Sequence, residues 1–133
     1  MPRIEGTGGS QRRKRPRDEE RDHRIAMEII VDAYGPEEQA MGWYYYLEGA
    51  LQFPFTARCV AERTISPLRV GEEVEVVGMS PEDDCMHEMF VMIRWEGRTL
   101  GVPLVQLEGV AVDEDTAQAI DDWHYWLDQG HTF

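Results

Sequence analysis

Within GMSPEDDCMHEMF, residues 78–90, Glu82, Asp83, Asp84, Cys85, His87 and Glu88 put four carboxylates, a thiol and an imidazole into seven residues. Two metal chemistries compete for them. A soft ion such as zinc would use Cys85 and His87, but zinc takes four nitrogen or sulfur ligands, or three and a water. The rest of the chain offers only Cys59, His124 and acids, with no CxxC pair. A hard ion suits the stretch better. Calcium takes six to eight oxygens at about 2.4 Å from carboxylates, carbonyls and water. Glu82, Asp83 and Asp84 follow Pro81 on a loop, where backbone carbonyls are also free, and three consecutive acids repel one another.

No EF-hand supplies such a site. VDEDTAQAIDDW carries Asp113 and Asp115 but lacks the glycine that the loop's sharp turn needs, and it reads on as helix. An ion must therefore be held by acids from separate segments. Glu37 and Glu48 lie eleven residues apart, about 16 Å along a helix, so they cannot share one ion. Glu28 and Asp32 are four apart and can meet Glu37 or Glu38 across Gly35-Pro36. Asp121 and Asp122 face different ways, so at most one joins Asp113 or Asp115. Nucleophilic catalysis has no support. None of His23, His87, His124 and His131 sits in a serine or cysteine nucleophile motif, and there is no GxGxxG or P-loop. An enzyme is not expected.

The charge pattern agrees with a cation ligand. The net charge is −13 over 133 residues. Residues 1–24 hold eight bases and five acids, or +3, so residues 25–133 hold five bases and 21 acids, or −16. A body this acidic repels nucleic acid and attracts cations or basic proteins. No apolar run approaches a membrane span, and the polar, basic N-terminus has no signal-peptide core. The expected location is cytoplasmic, with both cysteines reduced.

Residues 1–21, with QRRKRPR at 11–17, read as a disordered basic tail ahead of one domain over 22–133. A helix is expected from about Asp22 to the Tyr34-Gly35-Pro36 step, where Pro36 opens a second helix running to about Leu51. Met41, Tyr44 (or Tyr45), Leu47, Glu48 and Leu51 mark one face at 3–4 spacing. The pattern then switches to period two. Strands are expected over 55–62, around Val74–Val77, over Met89–Trp95 with a tight turn at Trp95-Glu96-Gly97-Arg98, and then as two short strands interrupted at Pro103. A C-terminal helix capped by Asp113 or Asp115 buries Ala117, Ile120, Trp123 and Leu127, and Gly130 stops it. The expected fold is α+β: two N-terminal helices, a small antiparallel SH3-like β-barrel and a C-terminal helix.

EIIVDAYGPEEQAMGWYYYLEGALQFPF, ISPLRVGEEVEVVGMSPEDDCMHEMFVMIRW, GVPLVQLEG and AIDDWHYWLDQG resemble the small bacterial calcium-binding proteins of the cyanobacterial CcbP type, over about residues 24–130. The resemblance implies calcium (Ca2+) binding by clustered surface carboxylates without EF-hands, and a role as calcium buffer or regulator. The acids inside the matching motifs are Asp32, Glu37, Glu38, Glu48, Glu82, Asp83, Asp84, Glu88, Asp113 and Asp115. Affinity is expected at roughly micromolar to millimolar for partly hydrated sites. The competing expectation is an acidic protein-interaction module that docks a basic partner without metal. An Sm-like RNA role and a Cys85/His87 metalloenzyme rank below both.

Overall fold

The computed structural model describes residues 15–133. The expected tail falls largely on residues 1–14, outside the described residues. From residue 15 the basic segment is engaged with the domain. Asp18 caps a short helix, α1 (Glu19–Arg24), by accepting from the Arg21 amide. α1 thus starts three residues before Asp22. It passes directly into a π turn, Ile25–Ile29, whose Ile25 and Ile29 are buried.

The second helix, α2 (Pro36–Ala50), starts where the sequence places it. Pro36 opens it, and Glu37 and Glu38 fill its first turn. Gly42 lets α2 approach the π turn closely, because a Cβ there would collide with the Ile29 carbonyl. The buried row of α2 is Ala40, Trp43, Tyr44 and Leu47, with Leu51 just beyond; Met41 is only half-buried.

Five antiparallel strands follow: β1 (Phe55–Cys59), β2 (Glu73–Met79), β3 (Phe90–Trp95), β4 (Arg98–Pro103) and β5 (Leu107–Gly109). Their order is β4-β3-β2-β1-β5. The β3–β4 hairpin turns at Glu96-Gly97, with φ of 50° and 83°, as a two-residue turn of that twist requires. Val91 and Ile93 of β3 point inward, opposite Val102 and Leu100 of β4.

The expected closed barrel is corrected to an open sheet. β5 is three residues long and pairs with β1 alone, and β4 pairs with β3 alone. Both edges nevertheless come close together. Only the 3-10 turn Leu104–Gln106 joins β4 to β5, and a chain of that length reaches at most about 14 Å. The outer strands of a flat five-stranded sheet would stand about 19 Å apart. The sheet therefore curls strongly without closing its hydrogen-bond ladder.

Helix α3 (Glu114–Asp128) returns across this layer. Asp113 is its cap, accepting from the Thr116 amide and hydroxyl. Gly130, at φ 90°, ends the helical path. Ile120 and Trp123 are buried as expected, but Ala117 is exposed and Leu127 half-buried. The inner row is instead Thr116, Ala119, Ile120, Trp123 and Trp126, with Asp122 and Tyr125 buried beside it. Aromatic packing explains the rotation. Trp43 sits edge-on to Trp123 with ring centroids 5.1 Å apart, and Phe133 folds back onto Trp123 and Trp126. Among the described residues, no helix is long and apolar enough to cross a membrane.

Candidate metal centre

Three consecutive tyrosines on α2 place the acidic loop. At about 100° per residue, their phenols point three ways. The Tyr44 hydroxyl donates to the Ser80 carbonyl at 2.8 Å, fixing the point where β2 leaves the sheet. The Tyr45 hydroxyl donates to Glu82 Oε2 at 2.9 Å. The Tyr46 hydroxyl donates to Asp122 Oδ2 at 2.7 Å, across to α3. The loop itself is a short 3-10 turn, Glu82–Cys85, held from below by buried Cys85. The Cys85 sulfur accepts from the Phe90 amide at 3.3 Å.

Glu48 completes the arrangement. It lies four residues beyond Tyr44 and three beyond Tyr45, so it shares their helix face. The phenols register both carboxylates. Burial pushes the Tyr44 hydroxyl above its ordinary pKa, and the charges of Glu48 and Glu82 push it further. The Tyr45 hydroxyl is raised first by its bond to Glu82, then by the charge of Glu82, with Glu48 adding to it. Asp83 and Asp84 are exposed on the same turn.

Little positive charge stands near this face. Residues 25–57 contain no Lys, Arg or His, and residues 70–93 contain no Lys or Arg. Three of the five arginines of the body serve other acids. Arg58 bridges Glu73 and Glu108, Arg94 meets Glu75, and Arg63 grips both oxygens of Glu88 at 2.8 and 3.0 Å.

The structure thus separates the acids singled out from the sequence. Glu48 and Glu82 both act on the phenols of Tyr44 and Tyr45, with Asp83 and Asp84 on the same turn as Glu82. Glu88 is bound to Arg63, and Asp113 caps α3. Glu38 accepts from the Tyr34 amide at 2.6 Å. Asp32 is exposed after the π turn at φ 59°, Glu37 is exposed at the start of α2, and Asp115 is exposed in the first turn of α3. Cys85 points inward while His87 is exposed, so the two do not face a common point. Neither Asp121 nor Asp122 joins Asp113 or Asp115. Asp121 receives Arg15 and Arg21 at 2.8 Å each, and fully buried Asp122 receives Arg24. Burial pushes the Asp121 carboxyl up, but the two guanidiniums outweigh it and hold it below the usual range.

Among the described residues, no group of three or more His, Cys, Asp or Glu side chains is arranged to hold a metal ion. The donor set still suits a hard cation. Among the described residues Glu48 and Glu82 make no ion pair with an arginine, and their exposure admits water as further ligands. The tyrosines were not singled out as site residues from the sequence. GWYYYLE does contain the signal, since a run of three phenols on a helix cannot bury all three hydroxyls in one core.

Comparison with known proteins places the chain in a family. The family model described as calcium binding, CcbP type, matches residues 23–127. The crystal structure of Anabaena CcbP is 44% identical and superposes with a TM-score of 0.79, covering 89% of this chain and 97% of that one. A structure described as a calcium binding protein in the calcium-binding form is 45% identical, with a TM-score of 0.76 and coverage of 88% and 96%. A search of curated proteins finds no match. The chain belongs to the CcbP family of calcium-binding proteins.

Proposed function

We propose that this protein binds Ca2+ without an EF-hand, on the face where α2 meets the Glu82–Cys85 turn, and acts as a cytoplasmic calcium buffer or regulator. Glu48 and Glu82 are the protein ligands, with Asp83 and Asp84 adding charge or a further oxygen. The observation that supports this most is that Glu48 and Glu82 both act on Tyr44 and Tyr45 while, among the described residues, neither makes an ion pair with an arginine. The two carboxylates act on the same two phenols, so their negative charges add at this face. Bound Ca2+ supplies the compensating charge. Tyr44 and Tyr45 fix the turn, while Asp83 and Asp84 remain in solvent, so the site opens directly to water.

An ion bound only by the native state stabilises it by mass action. With free calcium at about ten times Kd, the gain is about 1.4 kcal/mol, or roughly 4–6 °C in thermal midpoint for a domain of this size. Melts in calcium and in sodium chloride of equal ionic strength check this. A shift no larger in calcium than in sodium sinks the reading.

A second reading, a basic partner docked without metal, draws on exposed Met27, Val31 and Tyr34 beside Glu28, Asp32 and Glu37. The two differ in chelator. Partner capture on that surface would persist there, whereas the calcium shift would not.

A further inference from the structure

We propose that the cleft between the 60–71 loop and the tip of the β3–β4 hairpin docks an extended segment of a partner protein, one with apolar side chains flanked by carboxylates that pair with Arg69 and Arg98. Both the surface and the sign of the partner's charge differ from the calcium face and from the basic partner weighed above.

Two cavities adjoin here. One, of about 410 Å3, is lined by Pro67, Trp95, Arg98, Thr99 and Leu100. The other, of about 290 Å3, runs along the loop past Ser66, Pro67, Leu68 and Arg69. Pro67 walls both. Strand parity accounts for the first. Trp95 and Arg98 face each other across the hairpin, as do Ile93 and Leu100, so all four share the inner face of the sheet. Trp95 and Leu100 thus carry the core outward to a rim where they stay half-buried. Ile65 and Val70 add apolar surface on the loop, at 58% and 62% exposure. β4 is an edge strand with β3 as its one partner. Every second residue of β4 therefore turns its N–H and C=O outward, which an extended chain can bond.

Charge selects the occupant. Arg58, Arg63 and Arg94 are bound to carboxylates. Among the described residues Arg69 and Arg98 make no ion pair, and each lines one of the two cavities. Residues 60–71 and 95–100 hold three bases (Arg63, Arg69, Arg98) and two acids (Glu62, Glu96), or +1, so the rest of residues 25–133 holds two bases and 19 acids, or −17. A guanidinium without a partner can take a carboxylate through two parallel N–H bonds. The remaining body repels negative charge, so the docked segment carries acids only where the two arginines meet them.

The probes are the end-blocked peptides EVTVE and KVTVK, titrated into the full chain and followed by amide NMR shifts. EVTVE should shift residues within 62–71 and 95–100, and should bind about three- to tenfold more tightly than KVTVK. Arg69→Gln with Arg98→Gln should abolish that preference. The thermal midpoint should not move, because neither arginine holds an ion pair in the fold. Equal binding of the two peptides, shifts centred elsewhere, no shift up to about 2 mM EVTVE, or a preference that survives in the double variant overturns the proposal. A dimer in sedimentation that dissociates in the double variant also overturns it, by making a second copy of the chain the occupant.

Discussion

Replacing Asp122 with alanine is expected to lower the free energy of unfolding by about 3 kcal/mol, the largest loss from any single acid in the described chain. Asp122 is fully buried, yet it is an acid on a chain rich in acids. Its two oxygens receive Arg24 at 2.6 and 3.0 Å and the Tyr46 hydroxyl at 2.7 Å, with Arg21 at 3.5 Å. One carboxylate thereby joins α1, α2 and α3. Burial and the bond to Asp122 push the Tyr46 hydroxyl up to about 12, and the same carboxylate holds Arg24 more firmly charged. Removing one member of a buried pair leaves the other uncompensated, which costs about 3–5 kcal/mol. The lower end applies because the Arg24 side chain keeps 26% of its surface in water. Urea unfolding measures this directly. A loss below about 1 kcal/mol would mean that the α1–α3 contact is not formed in solution.

The second large effect is on the ion. A chain carrying Glu48→Gln and Glu82→Gln is expected to bind Ca2+ at least thirtyfold more weakly. A divalent ion and a unit charge about 4 Å apart attract by about 2 kcal/mol even at the dielectric of water, and tenfold in affinity is about 1.4 kcal/mol. The same change should leave the ion-free protein equally or more stable, because two carboxylates that repel each other become neutral. That opposition of signs separates ligands from ordinary fold contacts. Glu62→Gln with Glu96→Gln, an equal change of charge elsewhere on the exposed surface, should leave the affinity nearly unchanged. If both double variants weaken calcium alike, binding is a diffuse response to net charge.

Much of the fold is legible along the chain because its signals are local. Pro36 opens α2, Asp113 caps α3, Glu96-Gly97 turns the β3–β4 hairpin and Gly130 stops the last helix. Each depends on residues within one or two turns of one another. The closure of the sheet is not local. Whether β4 and β5 share a ladder depends on curl accumulated across five strands, and the expected barrel proved to be an open sheet. The partition of the acids is not local either. Arg24 lies 98 residues from Asp122, and Arg63 lies 25 from Glu88. No period in the sequence announces which carboxylates meet an arginine and which are left to a cation. The resemblance to the CcbP type, carried by GWYYYLE and CMHEMFVMIRW, supplied the ion that charge alone left among several partners. Among the described residues, Glu48 and the Glu82–Asp84 turn are left without an arginine partner.

A crystal of this protein grown in calcium tests the central claim most directly. The account predicts a density peak between Glu48 and Glu82, with oxygen neighbours at about 2.4 Å and Tyr45 still bonded to Glu82. A fully occupied peak at Asp113 and Asp115, or none near α2, would contradict it.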